Sequence, residues 1–295
     1  MTKLTPRQRR EFAIGLAFIS PWIIGFLWFT AYPVIASFYY SFTSYQIIGT
    51  PKWIGLGNFS TLFRQDDLFW TSLKNTAYYV VTSVPLDLIV ALFFALLLNV
   101  GIVGRSFFRT AFYLPTVVPT VASAILWIML FNTDGGIINE ALGVVHISPI
   151  PWLSSPNWAM PALILLSVWG IGSAVIIFLA GLQDVPRVLY DAASLDGAGP
   201  LRSAWHVTLP MVSPVILFNF ILGMIGAVQV FTTPFIMTAG GPLNATLMYS
   251  IVLFNNAFVY YKMGYASAMA WLMFFVVLGL TMLSLRLSRS YVHYE

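Results

Sequence analysis

Between Phe12 and Pro51 the chain carries no Asp, Glu, Lys or Arg, and runs of this kind recur along its length. Asn75–Ile102 holds a single charge, Asp87, while Thr110–Thr133, Ala141–Gln183, Val207–Tyr261 and Met263–Leu285 hold none. A helix rises about 1.5 Å per residue and needs ~20 apolar residues to cross the ~30 Å hydrocarbon layer. The runs therefore predict an all-α polytopic membrane protein with six transmembrane helices, near 12–32, 76–99, 108–131, 160–182, 211–236 and 265–287. Strands of a membrane barrel are about half as long and alternate in polarity, so a barrel is excluded. Composition agrees: 59% of the 295 residues are hydrophobic and 8% charged, whereas soluble domains run near ~45–50% and ~25%. The expected organisation is a short tail (1–11), a transmembrane domain (12–287) and a second tail (288–295).

Orientation follows from the basic residues, which concentrate on the cytoplasmic side of membrane proteins. Lys3, Arg7, Arg9 and Arg10 precede the first span, Arg105 and Arg109 lie between the second and third, Arg187 and Arg202 between the fourth and fifth, and Arg286 and Arg289 after the sixth. The opposite loops hold only Lys52, Arg64, Lys74 and Lys262. Both termini are therefore expected in the cytoplasm. The first apolar segment is too long for a signal-peptide core and is flanked by Trp and Tyr, so it is read as an uncleaved span. Leu247–Tyr261 is too short for a seventh crossing and carries Asn255 and Asn256 in its middle. It is expected as an interfacial or re-entrant helix on the outer side.

The segment 183–210 is the most polar long stretch after the N-terminus. Pro186 suits the start of a helix, Arg187–Leu195 is made of good helix formers, and Gly197 and Gly199 offer positive-φ freedom for a sharp turn. Pro200 opens a second short helix and Pro210 precedes the fifth span. By pattern alone this is either a well-formed connector or a helix–turn–helix surface presented to a partner. Asp191-Ala192-Ala193, then Asp196-Gly197-Ala198, then Val207-Thr208-Leu209-Pro210 resembles the EAA signature of ABC importer permeases, with Asp191 where the family usually has Glu. Trp53–Phe59 (WIGLGNF), Gly240-Gly241-Pro242 with Thr246, and Gly264–Ala270 (GYASAMA) are similar to patterns of the carbohydrate-uptake branch, in particular its maltose-permease-F-like subunit.

The resemblance implies a type I importer bundle in a bacterial or archaeal plasma (inner) membrane. It also implies that Asp191, Ala192, Ala193, Asp196, Gly197, Leu209 and Pro210 belong to a loop that couples the permease to a cytoplasmic ATPase. The partners it implies are a second permease subunit, a cytoplasmic ATPase dimer, an extracytoplasmic solute-binding protein and membrane lipids. An independent observation points the same way. The chain has no G-x-x-x-x-G-K-[ST] phosphate loop, so ATP and Mg are expected on the ATPase chain, with no cofactor and no catalytic residue here. The absence of cysteine removes disulfides and thiolate sites. His146 and His206 stand apart from acidic clusters, so no metal is expected. The thinly spread basic residues form no patch interleaved with aromatics, which argues against nucleic acid.

Candidate substrate contacts lie on the spans flanking the 183–210 segment. Leu166, Trp169, Gly170 and Ser173 fall on one face of the fourth, and Gly223, Gly226, Ala227 and Val230 on one face of the fifth, with Gln229 at its margin and Asn219 a turn away. These faces either line a cavity, with Trp169 stacking on sugar C–H surface, or pack helix against helix through small residues. Asp87 either accepts hydrogen bonds from substrate hydroxyls or from a neighbouring helix, or is capped by Thr82 and Ser83 near a Pro85 kink. Pro115, Pro119 and Pro234 are read as further kinks. With no basic residue central in any span, the expected cargo is a neutral sugar or oligosaccharide. The alternatives are another polyol such as glycerol 3-phosphate, or a secondary transporter that uses Asp87.

Overall fold

The computed structural model describes residues 5–100 and 104–288; Lys3, Arg289 and the rest of the C-terminal tail lie outside these. Helix α1 (Pro6–Phe26) opens on a capping box. Thr5 Oγ1 accepts from Gln8 N–H, and the Gln8 side chain accepts from Thr5 N–H at 2.9 Å. The helix begins ahead of the expected residue 12, passes through a π turn at Leu27–Ala31 and continues as α2 (Tyr32–Ser41), 36 residues in all. A two-residue antiparallel pair, β1 (Thr43–Ser44) with β2 (Lys52–Trp53), and α3 (Gly57–Arg64) follow.

Helix α4 (Asp67–Asn99) is capped by Asp66, whose Oδ1 accepts from Phe69 N–H at 3.0 Å. Pro85 lies inside it without ending it. The expected span 108–131 is two helices, α5 (Arg105–Val117) and α6 (Thr120–Leu130), bent by 99°. The cause is Pro119: it offers no N–H and drives Val118 into extended backbone (ψ 129°), so it breaks the helix rather than kinking it. After α7 (Ile137–Val144), the fourth span is also divided, into α8 (Pro156–Trp169) and α9 (Gly172–Asp184), bent by 45° at Gly170–Ile171.

Helix α10 (Arg187–Leu195) is followed by α11 (Pro200–Ser203), a π turn at Ala204–Thr208 and α12 (Leu209–Met211). A 66° bend leads into α13 (Ser213–Val228). The fifth span thus stops at Val228 instead of running to 236, and Pro234 sits in the separate α14 (Thr232–Thr238). The stretch read as an interfacial helix forms α15 (Tyr249–Phe254) with a π turn at Asn255–Val259, before α16 (Met263–Ser288). Among the described residues three continuous helices are long and apolar enough to cross a membrane, or up to six if each bent pair is one span.

The chain divides into two compact units. The first takes the chain up to Gln65 together with Leu253–Met273. Its centre is the corner where α2 ends. Asn58 Nδ2 donates to Ser41 O (2.8 Å) and Thr43 O (2.9 Å), and the Trp53 ring stacks on Phe42 at 5.6 Å. Gly264 approaches the same corner: its N–H donates to Tyr45 O at 2.9 Å, and a Cβ there would lie 2.1 Å from Thr43 O. Trp271 donates to Ser37 Oγ at 3.1 Å. The WIGLGNF and GYASAMA motifs thus meet at one junction, which gives both a structural reason.

The second unit takes Asp66–Val252 and the chain from Phe274. Its core sets Ala91, Ala95 and Leu98 of α4 against Val175, Phe178 and Leu182 of α9, all buried. Small residues let these backbones approach closely, the usual means of helix association where lipid removes the hydrophobic driving force. Gly172 does the same against α5, where a Cβ would meet Phe112 O at 2.3 Å. The loop 132–152 is organised by buried Asn139. Its Nδ2 donates to Ile150 O (2.9 Å), and its Oδ1 accepts from Ile150 N–H (3.1 Å) and the Trp152 indole (3.0 Å).

Candidate functional site: an exposed helical turn and an intramembrane cavity

The segment 183–210 folds as helix, sharp turn, helix. At the end of α10, Ala198 N–H donates to Ala193 O (2.9 Å) and Gly197 N–H to Ser194 O (3.1 Å), the two bonds of a Schellman turn. That turn needs left-handed backbone just past the cap, and Gly197 supplies it at φ +74°. A Cβ on Gly197 would meet nothing within 4 Å, so the demand for glycine is purely conformational. Gly199, also expected at positive φ, instead lies at φ −72° as the extended cap of α11, where proline follows directly.

Around this turn Asp191, Ala192, Asp196 and Gly197 are exposed, and Ala193 is half-buried. Leu195 and Leu201, on either side, are 88% and 75% exposed. Ala192, Ala193, Asp196 and His206 share a cleft of about 330 Å³. The base is tied by the Tyr190 hydroxyl to Thr208 Oγ1 at 3.0 Å. Leu209 and Pro210 are half-buried in α12, where Pro210 O accepts from Ser213 at 2.6 Å. Sequence reasoning thus named residues of two kinds: an exposed rim, and a hinge that directs the chain into α13.

The second feature is a cavity of about 240 Å³ between α4, the α8–α9 break and α13. Its polar lining is Asp87, Ser167, Ser173 and Asn219; Gly170 and Gly223 leave it open. Asp87 Oδ1 accepts a hydrogen bond from Ser167 at 3.0 Å, and the same hydroxyl lies 2.8 Å from Ile164 O. The caps considered from sequence are not its partners. The Thr82 hydroxyl turns back to Tyr78 O at 2.7 Å, and Ser83 is buried beside the Tyr79 hydroxyl. Asn219 Nδ2 donates to Val215 O at 3.0 Å.

Of the expected pathway residues, Asp87, Gly170 and Ser173 come together here, and Trp169, Gly226 and Gln229 do not line the cavity. The break at Gly170 ends the helical register that had joined Trp169 to Ser173. Trp169 packs edge-on against Trp127 at 6.0 Å, while Gly226 is exposed further along α13 and Gln229 is exposed just past its end. Ser167 was missed; a lone hydroxyl in the apolar run of α8 was its only signal.

A third element is the loop 238–249. Buried Thr246 donates to Gly241 O and bonds Thr238 Oγ1, both at 2.6 Å. Asn75 of α4 donates to Asn244 O at 2.7 Å, and Thr76 accepts from Tyr249 N–H at 2.9 Å. The GGP motif and Thr246 therefore fasten this loop.

Broken apolar helices around a small, mainly apolar cavity with four polar side chains, together with an exposed helical turn, are compatible with a membrane transport subunit. The chain belongs to the family of binding-protein-dependent transport system inner membrane components, which it matches over residues 70–293. It is 47% identical to the probable ABC transporter permease protein YesP of Bacillus subtilis, covering 97% of this chain and 94% of that one. It is 34% identical to the trehalose/maltose transport system permease protein MalF of Thermococcus litoralis, with 95% of each chain covered. A solved bacterial ABC transporter involved in import of the acidic polysaccharide alginate shares the fold, with a TM-score of 0.84 at 24% identity and coverage of 97% of this chain and 98% of that one.

Proposed function

We propose that the chain is the permease subunit of an ATP-driven importer that carries a neutral sugar or oligosaccharide into the cytoplasm of a bacterial or archaeal cell. It works with a second permease subunit, an ATPase dimer and an extracytoplasmic binding protein, and is not itself an enzyme. Relatives covered over most of their length are named for transport of trehalose and maltose, lactose and arabino-oligosaccharides. The single observation that carries the coupling role is the Gly197 turn. Its polar exposed rim and two exposed leucines form a rigid knob, suited to a groove on an ATPase, and positive-inside reasoning puts it in the cytoplasm. Asp191, Ala192, Ala193 and Asp196 would meet that partner, and Leu209 and Pro210 would pass its motion to α13.

Neutral cargo follows from charge. An anion crossing the midplane is best matched by a cationic side chain, and the only charged side chain in the apolar runs of this chain is the acidic Asp87. Trp169, Gly226 and Gln229 remain candidates for the wider pathway that a second subunit would complete. The test is competition in uptake by the reconstituted complex. Neutral mono- and oligosaccharides compete, whereas glycerol phosphate and uronates do not. Inhibition by the anionic compounds alone would overturn the assignment of cargo.

A further inference from the structure

We propose that the hairpin joining β1 to β2 is an outer-leaflet membrane anchor, with Ile47 and Ile48 in the acyl boundary and Lys52 and Lys262 holding the phosphate of an anionic phospholipid. The span that leads into the hairpin sets its depth. The charge-free helical run from Phe12 to Ser41 is about 45 Å long at ~1.5 Å per residue. That is close to the ~40–45 Å of a bilayer with both headgroup layers. With the basic N-terminal end in the cytoplasm, the corner after Ser41 lies at the level of the outer headgroups. Beyond the Ser44–Lys52 pair the connection turns at Gly49 (φ +123°) and reaches about 10 Å further, at ~3.3 Å per residue. This reach matches the ~5–10 Å depth at which interfacial segments bury their apolar side chains.

The side chains are sorted as such an anchor requires. Ile48, at the tip, is 91% exposed, and Ile47 beside it is exposed as well. Trp53 keeps one face on the Phe42 ring and leaves the rest open, the amphipathic placement of an indole at headgroup level. Two lysines meet at the root of the hairpin. Lys52 pairs with Ser44 across the strands. Lys262 stands two residues before Gly264, whose N–H donates to Tyr45 O at 2.9 Å. Both lysines are exposed, and neither forms an ion pair among the described residues. Residues 42–65 and 253–273 hold Lys52, Arg64 and Lys262 but no Asp or Glu. The outer end of this unit therefore brings no anion of its own to the lysines. A lipid phosphate supplies one, and the lysine stems can lie along the lipid surface beneath it. The same composition favours lipid over a soluble protein. Lysine is depleted in protein interfaces, whereas an apolar tip flanked by an aromatic ring and cations is what an interfacial segment carries.

The experiment uses the complete complex in vesicles of phosphatidylcholine alone or mixed equally with phosphatidylglycerol. The chain has no cysteine, so Ile48→Cys places a single environment-sensitive fluorophore on this subunit. The complex without that cysteine, treated alike, gives the blank. Emission should shift to the blue on reconstitution. A nitroxide near the headgroup end of the acyl chain should quench the label more than one at the chain terminus. Nitroxide-bearing phosphatidylglycerol should quench it more than nitroxide-bearing phosphatidylcholine at the same dilution. Lys52→Gln or Lys262→Gln should each cut that preference, read as relative lipid affinity, about fivefold, the equivalent of roughly 1 kcal/mol per lysine at an anionic surface. The double substitution should abolish the preference while leaving complex yield, and the depth of the label in phosphatidylcholine, unchanged. A label that stays in water in both kinds of vesicle overturns the anchor. Equal quenching by the two lipids, or a preference that survives the double substitution, overturns the phosphate site. A label in water until loaded binding protein is added, and shielded afterwards, overturns the lipid contact in favour of a protein one.

Discussion

Gly264 shows how one atom sets a junction. Its backbone lies so near α2 and β1 that a methyl group would sit 2.1 Å from Thr43 O and 3.1 Å from Tyr40 O. Backbone, unlike the end of a flexible side chain, does not move aside cheaply. Gly264→Ala should therefore destabilise the first unit by ~1–3 kcal/mol, the usual range for overpacking. Thermal unfolding of the detergent-solubilised protein followed by tryptophan fluorescence reads the effect, since Trp53 and Trp271 both report on this corner. An unchanged midpoint would mean the corner opens without cost. Gly279, on the same helix with nothing within 4 Å of an added Cβ, is the matched control. These two glycines look alike in sequence, and only the fold tells them apart.

At the scale of elements, what was legible follows from how local each cause is. The spans were legible because the hydrocarbon layer demands length and apolarity, and the charge-free runs record both. The Gly197 turn was legible because left-handed backbone singles out glycine by residue type. The break at Val118–Pro119 was visible as a proline but underrated, whereas the break at Gly170–Ile171 has no proline to announce it. Least visible were bonds set by distant partners: Ser167 with Asp87, and Asn139 with Trp152. The most local of these elements also gives the sharpest test of coupling. A β-branched residue is poorly tolerated at φ +74°, so Gly197→Val should undo the Schellman turn at ~1–2 kcal/mol, while Gly197→Asn should be nearly silent. If the knob docks an ATPase, the Val variant inserts and folds yet loses stimulated ATPase activity and uptake. Asp191→Ala, at the exposed rim, should have a milder effect. Normal coupling in Gly197→Val would remove the knob from the interface.

For the whole molecule the question is the source of energy. The chain has no phosphate loop to cradle ATP, and its four lysines follow Thr, Pro, Leu and Tyr rather than glycine. Ion coupling would instead require titratable or coordinating groups inside the bundle, and the apolar runs offer one carboxylate. Asp87, held by Ser167 beside a cavity, would be a poor relay by itself, because a relay needs a second acidic or basic group to receive the proton. The chain reconstituted alone in liposomes should therefore accumulate no sugar under an imposed pH or sodium gradient, with or without ATP. Adding the second permease, the ATPase and the loaded binding protein should produce uptake that depends on ATP and survives collapse of both gradients. Accumulation by the chain alone under either gradient would make it a secondary transporter. Asp87→Asn would then abolish that accumulation outright, since no other carboxylate lies in the apolar runs.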